Sequence, residues 1–252
     1  MQTKKAVTEP SSGIKQASPQ PIASRKHLAG FLVIGAGIVV LGLLAQRTPA
    51  GAAGASPGQL GQHGQAIHLY LTAILMDWAL LYYCWVGVHR AGGDLGTLSG
   101  GLWSSWRSIA MDLSVALPFW LLWEGTSYGV HWLLGASKAK SVDSLLPQSV
   151  LEIVVWIVTS VTAGICEEMA FRGYLQRQLQ ALTGGVVMAV LGQGIVFGLF
   201  HAYQGWQSVI VISVLGAMFG VLAAWRRNLR ANMIVHAWAD VWSGWLKFVV
   251  WR

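Results

Sequence analysis

Residues 150–182 read VLEIVVWIVTSVTAGICEEMAFRGYLQRQLQAL. From Ile153 to Cys166 no charge interrupts the run, and the chain then meets Glu167, Glu168 and Arg172 without losing its helix-forming character. A stretch this apolar and this long is a membrane-spanning helix, for which about 20 apolar residues suffice. Thr183, Gly184 and Gly185 then break it. The same pattern recurs on both sides, at 28–45, 67–88, 109–134, 186–203, 206–225 and 232–251. With the quoted stretch these make about seven spans, so the fold class is all-α, a polytopic transmembrane helix bundle. Pro118 lies inside the third run, which is expected to kink there.

Composition agrees with that reading. Of 252 residues 54% are hydrophobic and 11% are charged, against roughly a quarter charged in a soluble domain. The net charge of +7 is spread over the ends of apolar runs, which is an orientation signal and excludes a nucleic-acid footprint. With the N-terminus inside, alternate loops hold Lys4, Lys5, Lys15, Arg25, Lys26, Arg90, Arg107, Arg172, Arg177, Arg226, Arg227 and Arg230. These are twelve of 17 basic residues, and the bias places the chain in a cell inner or plasma membrane with a cytoplasmic N-terminus. Residues 1–26, polar and proline-bearing, read as a disordered cytoplasmic tail. Residues 27–144 read as N-terminal transmembrane helices and 145–252 as a catalytic transmembrane region. Cys84 and Cys166 sit in separate apolar runs and do not suggest a disulfide.

Charges inside spans are costly and call for a partner or a function. Asp77, Asp112, Glu124 and Glu152 stand alone in sequence. Glu167 and Glu168 are adjacent, and their mutual repulsion needs an answer. Arg172, four residues after Glu168 on the same helical face, supplies part of it. Glu167 points about 100° away, toward a face bearing Ala163, Gly164 and Ala170, small residues that leave room for water or a substrate backbone. A carboxylate so placed suits a general base. Glu167 lies 17 residues before Gly184 and His201 lies 17 after it, so an antiparallel hairpin would put them at equal depth. His236 and Asp240 share a face of the last helix. Six polar residues on three helices are better explained together, around a membrane-embedded cavity, than as separate buried groups. Gly194 with Gly198, and Gly216 with Gly220, have the spacing of close helix contacts. Trp238, Trp242 and Trp245 read as interfacial anchors.

These residues carry a resemblance. Glu167-Glu168-Met169-Ala170-Phe171-Arg172 resembles EExxxR, Phe197-Gly198-Leu199-Phe200-His201 resembles FxxxH, and His236-Ala237-Trp238-Ala239-Asp240 resembles Hxxx(N/D). They are the three motifs, in order, of the CAAX-protease and bacteriocin-processing family of intramembrane proteases. The resemblance covers residues 145–245. It implies an endopeptidase acting on a membrane-embedded or lipidated peptide or protein, with the lipid bilayer as its other partner. It further implies that Glu167 and His201 activate the attacking water, that Glu168 and Arg172 hold charge and geometry, and that His236 with residue 240 polarises the carbonyl or stabilises the oxyanion. The prenyl proteases of the family have Asn at the last position, whereas Asp240 in its ionised form cannot donate a hydrogen bond. No cofactor is expected; the alternative is zinc on His201, His236 and Glu167. The rival functions are a proton- or ion-coupled transporter and a non-catalytic protease-like scaffold.

Depth poses one question. His236 lies about 9 Å along the last helix from its basic loop, but His201 lies about 25 Å beyond Gly184. The depths agree only if residues 171–182 project past the membrane surface instead of bending at Gly173.

Overall fold

A computed structural model describes residues 20–47, 62–101, 103–135 and 146–250, and every regular element among them is helical. Helix α1 is Arg25–Arg47, α2 Gln62–Arg90, α3 Leu95–Ser99 and α4 Trp106–Leu133. Helix α5 (Val150–Glu167) continues as a π-helix (Glu168–Leu175) and then as α6 (Gln176–Thr183). Helices α7 (Val186–Phe200), α8 (Trp206–Arg226) and α9 (Arg230–Val250) complete the set.

The protein is a multi-pass membrane helix bundle. Four stretches, Arg25–Leu44, Gly64–Arg90, Val150–Thr183 and Trp206–Arg226, are long and apolar enough to cross a membrane. Helix α7 is apolar but has 15 residues, while α4 and α9 are long but are not among the four. The expectation of seven spans therefore corresponds to seven long helices, four of which meet the requirement by length and composition. Apolar side chains face outward, Leu75 and Val187 being 69% and 65% exposed, as lipid-facing residues are.

Several boundaries differ from the sequence reading. Of the expected tail, residues 1–19 lie outside the described residues, but 20–26 are structured. Gln178 Oε1 accepts hydrogen bonds from the backbone N–H groups of Ile22 and Ala23, and Gln178 Nε2 donates to the Ala23 carbonyl at 2.8 Å. Arg25 and Lys26 already belong to α1. Helix α4 begins at Trp106, where Ser105 and Ser108 form a reciprocal cap, and it continues through Pro118. Ser149 caps α5 by accepting from Glu152 N–H, and Glu152 Oε2 accepts from Gln148 N–H at 2.6 Å. Glu152 is thus a helix-start residue. Cys84 and Cys166 are free and buried.

The second half packs through small residues. A Cβ at Gly194 would lie 2.9 Å from Ala217 N and Ser213 O, and one at Gly216 would lie 3.2 Å from Gly194 Cα; α7 and α8 therefore touch backbone to backbone. Gly164 does the same for α5 and α9, where a Cβ would meet Ala237 N at 2.8 Å and Met233 O at 2.9 Å. The space expected beside Gly164 for a substrate is thus filled by α9. Helix α2 lies on α5 through Tyr70 and Trp156, rings 5.3 Å apart. Helix α4 lies on α9, where Trp120 meets Trp238 and Trp242 at 6.1 and 5.6 Å. Trp238 and Trp242 are therefore packing residues as well, although Trp238 remains 47% exposed. An aromatic core of Phe31, Phe171, Tyr174, Phe197 and Phe200 joins α1 to the π-helix and α7.

The depth question has a structural answer. The helix continues unbroken through Gly173, whose missing side chain admits the Leu98 carbonyl and the Leu229 side chain. Helix α3 and the start of α9 are thus level with Gly173, and α6 runs about 15 Å past them before Gly184 (φ 72°) ends it in a left-handed cap. The segment before α1, the α2–α4 connection, Gln178 and the α8–α9 loop meet at one end, where Leu229 N–H donates to Ser99 O at 2.9 Å.

Candidate active site

Glu168 opens the π-helix and is fully buried. Arg172 Nη1 donates to Glu168 Oε1 at 3.0 Å, His236 Nδ1 to the same oxygen at 2.8 Å, and Asn232 Nδ2 to Oε2 at 3.1 Å. Three donors from two helices thus answer one carboxylate, as a charge out of reach of water requires. Arg172 lies between two rings, its Cζ 4.3 Å from the Phe197 centroid and 5.1 Å from that of Phe219, and its Nη2 donates to Gly216 O at 3.1 Å. One turn on, Gln176 donates to Gly220 O at 3.0 Å. The equal steps along both helices fix α8 parallel to the π-helix and α6. A π-turn is rare and concentrates at functional sites; here every residue in it is buried.

His236 carries the arrangement outward. Its Nδ1–H given to Glu168 orients the ring, and Nε2 stands 3.6 Å from Glu167 Oε2 and 3.7 Å from Asp240 Oδ2. These separations are beyond direct hydrogen bonding and suit a bridging water. The Glu167 and Asp240 side chains are 18% and 37% exposed, so this side of the knot opens while Glu168 is closed. Trp156 Nε1 donates to the Asp240 carbonyl at 2.8 Å and fixes α9 at that level.

Of the six residues expected at the site, Glu167, Glu168, Arg172, His236 and Asp240 converge. His201 terminates α7 and turns Nδ1–H to the Phe197 carbonyl at 2.9 Å. Its ring lies edge-on to Phe197 at 4.8 Å, and Phe197 is in turn 6.1 Å from His236. His201 is thus a neighbour of the site, but among the described residues no hydrogen bond or ion pair joins it to Glu167. The ligand set His201, His236 and Glu167 does not assemble either: among the described residues no three His, Cys, Asp or Glu side chains form a metal-binding group.

Three residues join the site that motif reasoning did not place there. Asn232, fully buried, lies one turn before His236 on the same face, a spacing visible in the sequence. Asp77 of α2 is within electrostatic reach of Glu167, His236 and Asp240; as an acid inside a span it was conspicuous but had no assigned neighbour. Tyr203 stacks on His201 with centroids 6.1 Å apart and is within electrostatic reach of Glu167, Asp240 and Asp77. Gln204 Nε2 donates to its hydroxyl at 3.1 Å. Of the other isolated acids, Asp112 is locked by Arg226, Arg230 and Trp103 at the α8–α9 loop.

Residues 149–242 match the family model of the type II CAAX prenyl endopeptidases, Rce1-like. The match encloses the π-helix, the α7–α8 hairpin and all six motif residues, so the second half of the chain is similar to that family. Helices α1 to α4 lie outside it. No curated protein and no solved structure matches the chain.

Proposed function

We propose that the protein is an intramembrane endopeptidase that hydrolyses a peptide bond in a membrane-embedded or lipidated substrate, with its catalytic water held between Glu167, Asp240 and His236. The observation that carries the proposal is the position of His236, tied to buried Glu168 on one side and facing Glu167 and Asp240 on the other. Glu167 takes a proton from the water, and the hydroxide adds to the substrate carbonyl carbon. In its protonated form His236 donates Nε2–H to the carbonyl oxygen as negative charge develops there. The proton on Glu167 then passes to the departing amine, leaving a carboxylate and an amine as products. Tyr203, whose hydroxyl oxygen already accepts from Gln204, has its own proton to give to the same oxyanion. Glu168 and Arg172 do not touch the substrate; they position His236. His201, on the far side of Phe197, lines the water's approach. The basic end of the bundle faces the cytoplasm, as the charge bias of the loops indicates.

The test is cleavage of a quenched membrane-peptide library by purified protein in detergent, comparing wild type, Glu167→Gln and His201→Ala, each with and without a strong zinc chelator. The expected result is a loss of about 10³-fold or more in Glu167→Gln, a smaller loss in His201→Ala, and no effect of chelator. Cleavage that survives in Glu167→Gln refutes the mechanism. Loss on chelation, restored by zinc, would replace the water-activating carboxylate with a metal. Glu167-dependent proton flux in liposomes without peptide cleavage would make the protein a transporter.

A further inference from the structure

Helix α2 has two working faces. Tyr70, Leu81, Cys84 and Val88 are buried along one. Along the other, Met76, Ala79, Tyr83, Val86 and Arg90 look across a gap at Ile34 and Ile38 of α1. The gap is an open groove of about 550 Å³ with no charged group on its wall except Arg90 at its end. There it joins a second, more polar hollow of about 380 Å³, which shares Tyr83, Val86 and Arg90 and adds Ser24, Lys26 and His27. Two cations line this hollow and no carboxylate does.

His27 is held there firmly. Its ring stacks on Tyr83 with centroids 4.1 Å apart, it lies over Gly87, where any side chain would collide with it, and its Nδ1 forms a 2.7 Å hydrogen bond with the Tyr174 hydroxyl. Its Nε2 is buried and has no hydrogen-bond partner among the described residues. A polar hollow lined by two cations, sharing Tyr83, Val86 and Arg90 with an apolar groove, has the form of an amphiphile. The length agrees. From Arg90 to Met76 is 14 residues, about 21 Å of helix, and one leaflet with its headgroups is about 20–22 Å thick.

We propose that this groove binds one anionic phospholipid, its phosphate at Lys26 and Arg90 and one acyl chain between α1 and α2 along Ile34, Ile38 and Met76. The site lies outside the protease-like region and does not rest on the proposed activity. Basic pockets between membrane helices recognise anionic headgroups, and here the tail groove supplies the second half of the recognition. Helices α1 and α2 touch where His27 meets Tyr83 and Gly87 and part along the groove, so the lipid would act as the filler between them there.

The test is native mass spectrometry of the purified protein titrated with phosphatidylglycerol or phosphatidylcholine of identical acyl chains. Wild type is expected to retain one phosphatidylglycerol with an affinity about thirtyfold above that for phosphatidylcholine, the effect of two basic residues at about fivefold each. The double variant Lys26→Ala with Arg90→Ala should lose this preference, while Arg107→Gln with Arg227→Asn, equal in charge removed but outside the groove, should keep it. Ile38→Trp, which fills the tail groove and leaves the head hollow intact, should weaken both lipids. Millimolar inorganic phosphate should not displace the lipid. Equal retention of the two lipids by wild type, a preference that survives the Lys26/Arg90 change, a loss in the control pair, or displacement by phosphate would each overturn the proposal.

Discussion

Asp112 and Glu168 are both fully buried carboxylates answered by basic side chains, yet they do different things. Asp112 accepts from Arg226 Nη2 and Arg230 Nε, each at 2.8 Å, and from Trp103 Nε1 at 3.0 Å. Those donors come from the α3–α4 connection and from the two ends of the α8–α9 loop, and the knot ties these together. Glu168 is answered as fully, but one of its donors, His236, has a second nitrogen that looks onto Glu167 and Asp240 at the partly exposed side of the cluster. A buried charge by itself is therefore no sign of chemistry. What separates the two is whether the donor set ends in the knot or passes through it to groups that still face open space.

The sharpest way to break that distinction is to neutralise each acid in turn. Glu168→Gln leaves Arg172 between two rings without its anion and His236 without its anchor. It should lose about 3–5 kcal/mol of stability and about 10²–10³ in kcat/KM per folded molecule, because a loose His236 no longer meets the substrate oxygen. Asp112→Asn should cost about 3 kcal/mol but change kcat/KM of the folded fraction by no more than about threefold. Thermal unfolding in detergent and cleavage assays on the folded fraction read both quantities. If the two variants lose activity alike, the α8–α9 loop belongs to the catalytic device and the contrast fails.

How much of the structure is legible in the sequence depends on distance along the chain. The bundle was legible because hydrophobic runs are local, and each long helix falls within a few residues of its run. The site was legible where partners share a helix: Glu168 with Arg172, and His236 with Asp240. It was less so where partners come from different helices. Helical spacing could not show that Asp77 on α2 comes within electrostatic reach of the motif residues, nor that His201 turns to its own helix's Phe197 carbonyl instead of to Glu167. It also misjudged Gly164, since an absent side chain reads equally as room for a ligand and as room for another helix. The tail boundary failed for a related reason: Ile22 and Ala23 are ordered by Gln178, 155 residues or more away, and no local signal reports that.

Gly164 allows the second test, which sharpens the role of α9 as the carrier of His236. In Gly164→Ala the new methyl meets backbone atoms of Ala237 and Met233 at 2.8–2.9 Å, and backbone cannot give way as a flexible side chain would. The expected cost is about 1–3 kcal/mol, with kcat/KM falling about tenfold as α9 is pushed away from Glu167. Gly125→Ala is the control, since nothing lies within 4 Å of a Cβ there. It should leave activity unchanged and raise stability by about 0.5–1 kcal/mol. Unfolding curves and rates that treat both glycines alike would mean that the α5–α9 contact does not set the geometry of the site.

The smallest effect is expected at the open edge of the cluster, and it tests the oxyanion donors. Asp240 as a carboxylate offers no hydrogen to an oxyanion, whereas an amide at that position would. Tyr203→Phe keeps the ring that stacks on His201 and removes only the hydroxyl, so it should lower kcat by about tenfold with KM nearly unchanged, a loss confined to the transition state. Asp240→Asn alone should alter kcat by less than about fivefold. In the double variant the new amide should take over part of the hydroxyl's task, and the Tyr203→Phe penalty should shrink to about threefold or less. Such coupling is what residues serving one atom show, while independent sites would simply add. Additive losses in that cycle would place Tyr203 beside the reaction and leave the oxyanion to His236 alone.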